Sequence, residues 1–469
     1  MQEFDIAVIG AGPGGYVAAI YGARQGAKVA LIEKDKEGGT CLNRGCIPTK
    51  ALIRTTEVYK TMQEARRYAC SAENIDFDYA RMVSRKDRIV TGLVRGVQSL
   101  LTNNGVTTFK GLGQFVDAHT IKIQQTDSQT QIRAKHIIAA TGSQPTELPI
   151  PGAEESFVMG SEEALAMTEL PKSLAIIGAG VIGMEFASMF ARLGVEVTLL
   201  EYLDDVLALL DRDLTQDVER NLRMAGVKLH TGSQVTAMEK TAEGSALIHF
   251  KNVASGEPMP SIEAEKVLMA VGRRPFLKGL GAQEIGIELQ ARSGAIAVND
   301  LMQTNIRHIY AIGDVTGGMM LAHVASHQAI VAVNNIMGRE HKMDYKAVPN
   351  AIFTDPEIAS VGLSEQEAHD NEIPIRVGRF PFAGNGKALA LGNSRGFVKL
   401  IAHKKTNVLL GGAVVGPGAT DLISEITLAV RHGLTADDVT DTIHAHPTLP
   451  EAIMEAAWDV GSGALHLAD

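Results

Sequence analysis

Apolar residues in this chain gather in short, nearly unbroken runs, and two of those runs open the same longer pattern. Phe4-Asp5-Ile6-Ala7-Val8-Ile9 reads as a parallel strand buried on both faces, a setting that removes the usual polar alternation. It leads into Gly10-Ala11-Gly12-Pro13-Gly14-Gly15, a helical run from Tyr16 to Gln25, and a second strand, Lys28 to Glu33, that ends in an acid. Leu174 to Ile177, then Gly178-Ala179-Gly180-Val181-Ile182-Gly183, a helix to about Leu193 and a strand from Glu196 to Glu201 repeat the arrangement. From Gly10 to Glu33 and from Gly178 to Glu201 the separation is the same 23 residues. A glycine turn between strand and helix lets backbone approach a pyrophosphate at the helix N-terminus, and the acid at the end of the next strand suits a ribose. Two dinucleotide sites, or one site and a structural duplicate, both fit this repeat. A carboxylate accepts hydrogen bonds from a free 2′-OH, whereas a 2′-phosphate calls for Arg. Glu201-Tyr202-Leu203-Asp204-Asp205 contains no Arg, so the second site is expected to take NAD rather than NADP.

The remaining pattern predicts a polar helical region from about Lys50 to Asn104, then strand-like segments at Val106 to Val116, Thr120 to Ile123 and Ile132 to Ala139. The last of these closes on Ala140-Thr141-Gly142-Ser143-Gln144-Pro145, and Pro149-Ile150-Pro151-Gly152 reads as a linker. An amphipathic helix is expected over Asp213 to Met224, and Val271-Gly272-Arg273-Arg274-Pro275 marks a return to the first domain. Ile309-Tyr310-Ala311-Ile312 reads as a strand delivering Gly313-Asp314, either an ordinary turn or a carboxylate at the strand end where open α/β sheets bind ligands. After Met343 strands and helices alternate without a glycine fingerprint.

A length of 469 residues is too great for one hydrophobic core. The composition, 45% hydrophobic and 21% charged, is that of an ordinary globular protein, and the net charge of −10 disfavours nucleic acid as a partner. The most apolar stretch, Leu174 to Leu200, carries Glu185, Arg192 and several glycines, which suits a buried β-α-β unit better than a membrane span. The acidic start, Met1 to Asp5, lacks the pattern of a signal or transit peptide, so a cytoplasmic setting is expected.

Two of the three cysteines sit in Gly38-Gly39-Thr40-Cys41-Leu42-Asn43-Arg44-Gly45-Cys46-Ile47-Pro48-Thr49-Lys50. In regular helix, residues five apart lie roughly 8 Å from each other, beyond the reach of a disulfide. The backbone is therefore expected to bend at Gly45. Ile47-Pro48 suits a helix start, which would bring helical N–H groups to Cys46 and favour its thiolate. A redox pair fits best; a structural disulfide and two free thiols are the alternatives. No further Cys or His cluster is at hand to complete a metal site, and no metal is expected. Cys70 is expected to be buried or inert. Near the C-terminus, His444-Ala445-His446-Pro447-Thr448-Leu449-Pro450-Glu451 offers either a His-Glu acid-base pair or a surface histidine before a helix-starting Glu.

Taken together, the two fingerprints, the cysteine stretch and the His-Pro-Thr-Leu-Pro-Glu segment resemble the pyridine nucleotide-disulfide oxidoreductase family over essentially the whole chain. The resemblance implies an α/β protein with two Rossmann-like domains, FAD-binding at 1–149 and NAD-binding at 150–272. It also implies a central domain at 273–345 that completes the FAD site, and an α+β dimer-interface domain at 346–469. Within the family the cysteine and histidine stretches are most similar to members that oxidise dihydrolipoamide with NAD⁺. Pro450 stands where those members usually have Ser, and His327 where an acid is common. Members that use NADP carry arginines after the second fingerprint, and mercuric reductases carry a C-terminal cysteine pair; Gly461 to Asp469 has none.

The implied catalytic set is Cys41, Cys46, His446 and Glu451, with the histidine serving the opposite subunit of a homodimer. FAD would meet Gly10, Gly12, Gly15, Glu33, Lys50, Gly113, Thr141, Gly142, Asp314 and Ala322. NAD would meet Gly178, Gly180, Gly183, Glu185, Glu201 and Gly272. Lys50 would pair with Glu185 beside the flavin, Glu33 would bind the adenosine ribose and Asp314 the ribityl chain, with Met320 to His323 also lining the site. The implied partners are lipoyl domains and the E2 component of 2-oxoacid dehydrogenase complexes, or the H protein of glycine cleavage.

Overall fold

The computed structural model describes residues 1–467. The first apolar run becomes the strand Gln2–Ile9, central in a sheet between Val29–Glu33 and Gln129–Ala139, both parallel to it. Ile6 and Val8 face Ala18, Ala19, Val94 and Val331 on helices, while Ala7 and Ile9 face Ile121, Ile123, Leu280 and Ile287 on the other side. With apolar partners on both faces, alternation has no solvent side to serve.

Gln129–Ala139 accepts two neighbours along one edge. Its first half pairs antiparallel with Thr120–Gln124, and its last residues pair parallel with Ile309–Ala311. Residues 309–311 thus rejoin the first sheet, and Asp314 emerges at the same C-terminal edge as Gly10 and Thr141. A short ladder between Ser143–Pro145 and Arg273–Pro275 adds a second return crossing.

The second run becomes Ser173–Ile177, flanked by Glu196–Leu200 and Lys266–Met269 in another parallel sheet. An antiparallel ribbon of Ser233–Lys240, Ala246–Asn252 and Ile262–Ala264 packs beside it. From residue 350 the chain builds a five-stranded antiparallel sheet in the order Asn350–Ile352, Glu357–Gly362, Leu409–Gly416, Phe397–His403, Ile375–Pro381. Helices Ala419–His432 and Glu451–Gly461 cover it and share its core through Ile423, Ile426, Ile453 and Val460.

Three expectations need correction. The helical region expected from Lys50 to Asn104 is two helices, Cys46–Gln63 and Tyr79–Asn103, separated by a short 3-10 turn and irregular chain. Ala69 and Asn74 take left-handed backbone there, and the Asp78 carboxylate accepts the Arg81 N–H to start the next helix. The segment Val106 to Val116 divides into Thr107–Lys110 and Leu112–Phe115 at Gly111, whose φ of 150° and crowding against the Gln124 carbonyl exclude a side chain. Cys70 is exposed rather than buried.

Lys399, buried on strand Phe397–His403, reaches out of the C-terminal sheet to Asp211 at 2.7 Å, Asp213 at 3.0 Å and Glu365 at 2.8 Å. These carboxylates are grouped as metal ligands would be, and the ammonium lies among them.

Candidate functional site

Both glycine fingerprints fold into the same cradle. At Gly10 and Gly178, φ is 104° and 102°, and an added Cβ would stand 2.3 Å and 2.6 Å from the carbonyl oxygens of Ala140 and Ala270. At Gly15 and Gly183 a Cβ would fall 1.8 Å and 1.9 Å from the carbonyls of Gly10 and Gly178. At Gly12 and Gly180 a Cβ would meet nothing within 4 Å. The outer glycines let helix and strand touch, and the middle one leaves space over a helix N-terminus that has no side-chain cap. Unclaimed N–H groups beside open space are what a pyrophosphate requires. At the neighbouring strand ends, Glu33 accepts the Ala11 and Asp35 N–H groups at 2.7 and 2.8 Å, and Glu201 accepts those of Ala179 and Leu203. Each carboxylate is held in place with lone pairs to spare for a ribose. The residues present therefore fit a dinucleotide at both positions.

The other residues expected at the flavin gather around the first cradle with one partial exception. Thr141 Oγ1 donates to the Phe276 carbonyl at 2.6 Å, and Gly142, at φ 74°, has open space where a side chain would be. Asp314 accepts the Ser143 hydroxyl at 2.5 Å, and Arg273 donates to the same hydroxyl at 2.8 Å. Ala322 is the first residue of helix Ala322–Ile336, which also lacks a side-chain cap. Gly113 lies on Leu112–Phe115, the end strand of the sheet order, which pairs with Thr120–Gln124; a Cβ there would press on the Ile9 and Ile32 side chains, so its smallness serves packing. On the NAD side Gly272, at φ 98°, has open space.

The cysteines occupy the break between two helices. Gly39–Arg44 ends and Cys46–Gln63 begins on either side of Gly45, where a Cβ would crowd the Thr40 carbonyl at 3.1 Å. Both cysteines are free, with sulfurs 2.7 Å apart, and Cys46 is the first residue of its helix. The hydrogen bond from the Cys41 thiol holds the Cys46 thiol down to about 7 against the opposing effect of burial, and the Lys50 ammonium assists. The same hydrogen bond, with burial, pushes Cys41 up. One sulfur is thus prepared as a thiolate and the other as its proton donor.

Lys50 meets both oxygens of Glu185 at 2.8 and 2.7 Å. Glu185 is nearly fully buried on helix Val181–Arg192, so the pair crosses from the first sheet's unit to the second's. Two residues missed in the sequence complete this corner. Phe353 N–H donates to Glu185 at 3.0 Å, and the Phe353 ring lies 4.6 Å below the Lys50 ammonium. Asp355 receives Lys60 at 2.7 Å and Arg192 at 2.8 Å. Separations of well over a hundred residues leave no local signal for such contacts.

At the far end of the chain, His446 Nδ1 meets Glu451 Oε1 at 2.8 Å, and Glu451 Oε2 accepts the Thr448 N–H at 2.7 Å. Burial acts to raise the Glu451 carboxyl, but the Thr448 N–H and His446 hold it below its ordinary range. Nδ1 is committed to the carboxylate, which leaves Nε2 of the neutral ring as the acceptor. The His446 side chain is 80% exposed, and none of its hydrogen bonds among the described residues reaches the cysteines. His444 instead turns inward to Glu425 at 2.8 Å.

Comparison with known proteins places this geometry in a family. The model described as pyridine nucleotide-disulphide oxidoreductase matches residues 4–329, and the model of that family's dimerisation domain matches 348–457. Dihydrolipoyl dehydrogenase of Chlamydia pneumoniae is 44% identical over 99% of this chain and 98% of its own. That of Geobacillus stearothermophilus is 42% identical over 97% and 96%. Among solved structures, LpdA of Mycobacterium tuberculosis superposes with a TM-score of 0.90 at 28% identity, covering 98% of this chain and 100% of its own. The HOCl-induced flavoprotein disulfide reductase RclA of Escherichia coli gives 0.84 at 28% identity over 96% and 98%.

Proposed function

Since the chain belongs to the pyridine nucleotide-disulphide oxidoreductase family, as its domain matches and full-length relatives show, we propose that it oxidises protein-bound dihydrolipoamide to lipoamide with NAD⁺, through Cys41, Cys46, His446 and Glu451. It is a flavoprotein disulfide oxidoreductase that uses FAD and NAD(H). The observation that carries the reading is the Cys41–Cys46 pair, set at a helix start beside Lys50–Glu185.

In the oxidised state the two cysteines form a disulfide. His446 Nε2, with its ring oriented by Glu451, takes a proton from one substrate thiol, because thiolate is the attacking species. The substrate sulfur bonds to Cys41, the Cys41–Cys46 bond breaks, and Cys46 leaves as a thiolate. His446 then passes that proton to Cys41 and takes up the proton of the second substrate thiol, whose sulfur displaces Cys41; the lipoamide ring closes and two electrons remain on the cysteine pair, with Cys41 a thiol and Cys46 a thiolate. Bound FAD supplies the relay that carries those electrons to NAD⁺. Lys50, held by Glu185, keeps positive charge beside the Cys46 thiolate.

We assign FAD to 1–149 together with 273–345, NAD to 150–272 and the homodimer contact to 346–469. The exposed His446 then serves the partner's cysteine pair. Lipoyl domains carried by E2 or by the glycine-cleavage H protein are the assigned substrate carriers, and the cytoplasm is the assigned compartment. Among the described residues no helix is long and apolar enough to cross a membrane.

The test is anaerobic reduction of the purified protein by dihydrolipoamide and by NADH, read by absorbance, with turnover measured alongside. A long-wavelength charge-transfer band at two-electron reduction and rapid lipoamide-to-NAD turnover are expected. Loss of general acid-base help in His446→Gln should cut that turnover by about 10²- to 10⁴-fold. A band with NADH but none with dihydrolipoamide would overturn the substrate and send the search to another disulfide.

A further inference from the structure

The helix that begins with the reactive cysteine is gripped at its other end as well. Cys46 and Lys50 lie in its first turns and Lys60 in its last, roughly 15 Å beyond Lys50 at the helical rise. On the neighbouring helix Val181–Arg192, Glu185 and Arg192 lie seven residues apart, about 10 Å at the same rise. Between the two runs the short segment 353–355, which belongs to neither dinucleotide unit. It touches both helices twice. Phe353 gives its N–H to Glu185 at 3.0 Å and its ring to Lys50 at 4.6 Å. Asp355 Oδ2 binds Lys60 at 2.7 Å and Arg192 at 2.8 Å, while its carbonyl accepts the Asn221 amide at 2.6 Å. Arg192 is only 10% exposed, so its charge has little water to fall back on.

We propose that Asp355 is a positioning residue for the redox centre: by holding Lys60 and Arg192 on one carboxylate it fixes the spacing of the two helices and, through Phe353, the seat of the Lys50–Glu185 pair beside Cys46. A rod pinned only at Lys50 could tilt about that point. A second pin at its far end removes the tilt, and the pins are covalently joined two residues apart. The charged and titratable groups facing Cys46 are Cys41, Lys50, Glu185 and Arg273. Of these Lys50 and Glu185 sit on the pinned helices, so a shift at Asp355 changes the charge that Cys46 meets. Glue between units alone would hold the molecule together without touching that charge.

The inference rests on the reading of Cys46 as a thiolate beside the flavin, and the test separates the two. The FAD-loaded protein is reduced with dithiothreitol, so that the outcome does not depend on dihydrolipoamide being the substrate, and the charge-transfer absorbance is titrated with pH. In Asp355→Asn, Arg192 loses its carboxylate and Lys60 keeps only Glu64, at 4.0 Å, so the two cations no longer share a counter-charge. The midpoint of the band should move up by half to one pH unit, a loss of about three- to tenfold in thiolate on the acid side. Asp355→Glu should restore most of the band. Lys60→Met, at a more exposed site that removes one pin only, should move the midpoint the same way by less, and it serves equally if Asp355→Asn does not fold. A folded, flavin-loaded Asp355→Asn or Lys60→Met with an unmoved midpoint would overturn the positioning role, whatever its melting temperature. Absence of the band in the unaltered protein would instead overturn the reading of Cys46.

Discussion

In the cradle of residues 10–33 and in that of residues 178–201, the same three glycines answer the same three steric demands, and the same glutamate binds the fingerprint's second N–H. Even the next contact is shared. Gly38 N–H returns to the Ala11 carbonyl at 2.8 Å, and Leu207 N–H returns to the Ala179 carbonyl at 3.0 Å. After that contact the two chains part. The first goes directly into the Cys41–Cys46 helices, so a close cysteine pair is fixed beside its own dinucleotide cradle. The second goes to Asp211 and Asp213, which receive Lys399 from the C-terminal sheet. A cradle is thus a local product of glycine spacing, and the segment that follows decides whether it borders chemistry or a structural joint.

The difference can be broken most completely at Cys46. Cys46→Ser should abolish dithiol turnover while leaving FAD bound, measured by lipoamide-dependent NADH formation and by flavin content. Loss of the flavin would make that cysteine part of the fold instead.

The structural joint should fail in stability. Lys399→Met leaves Asp211, Asp213 and Glu365 close together with only Arg379 as a compensating charge. Breaking a buried ion pair from one side typically costs about 3 to 5 kcal/mol. Urea unfolding should show that loss, and a change under 1 kcal/mol would mean that water already screens the cluster. For Asp211 and Glu365, burial pushes upward, yet hydrogen bonds from Lys399 and its field hold both carboxyls below their ordinary range. Groups depressed in the folded state contribute stability above their unfolded pKa, near 4, and lose it as pH falls through the folded value. The unaltered protein should therefore weaken below about pH 4 more steeply than Lys399→Met.

The smallest of the three effects compares the cradles directly. Gly180→Val places a branched side chain in the open space over the second helix N-terminus. A side chain there takes the room a pyrophosphate needs, and a loss of about 1.4 to 2.8 kcal/mol of binding would raise the KM for NAD⁺ roughly 10- to 100-fold. The bound flavin and its reduction by dithiol should remain. Equal loss of both would mean that the two cradles are not independent.

Legibility followed the range of the interaction. Both cradles, the helix start at Cys46 and the His446–Glu451 pair depend on residues within about two dozen positions of each other; the first two were visible as spacing, and the last was one of two readings between which the family resemblance chose. The same view failed between Gln63 and Tyr79, where polar residues compatible with helix conceal left-handed turns at Ala69 and Asn74. It failed for Cys70 because burial depends on what packs above a residue. For Gly113, expected among the flavin residues, what spacing could not show is that an added Cβ would meet the Ile9 and Ile32 side chains.

By itself, the sequence determined the β-α-β repeats, the glycine cradles, the acid at the end of each second strand and the chemical character of the Cys41–Cys46 and His446–Glu451 side chains. Each of these follows from residue type and short spacing, since backbone freedom, helix ends and hydrogen-bond capacity are local properties. Only the tertiary structure decided that Lys50 would meet Glu185, that Asp355 would hold Lys60 and Arg192 together, and that His446 would face outward while His444 turned in. Those choices depend on how separately folded units dock, and docking is settled by burial and charge pairing among residues far apart in the chain.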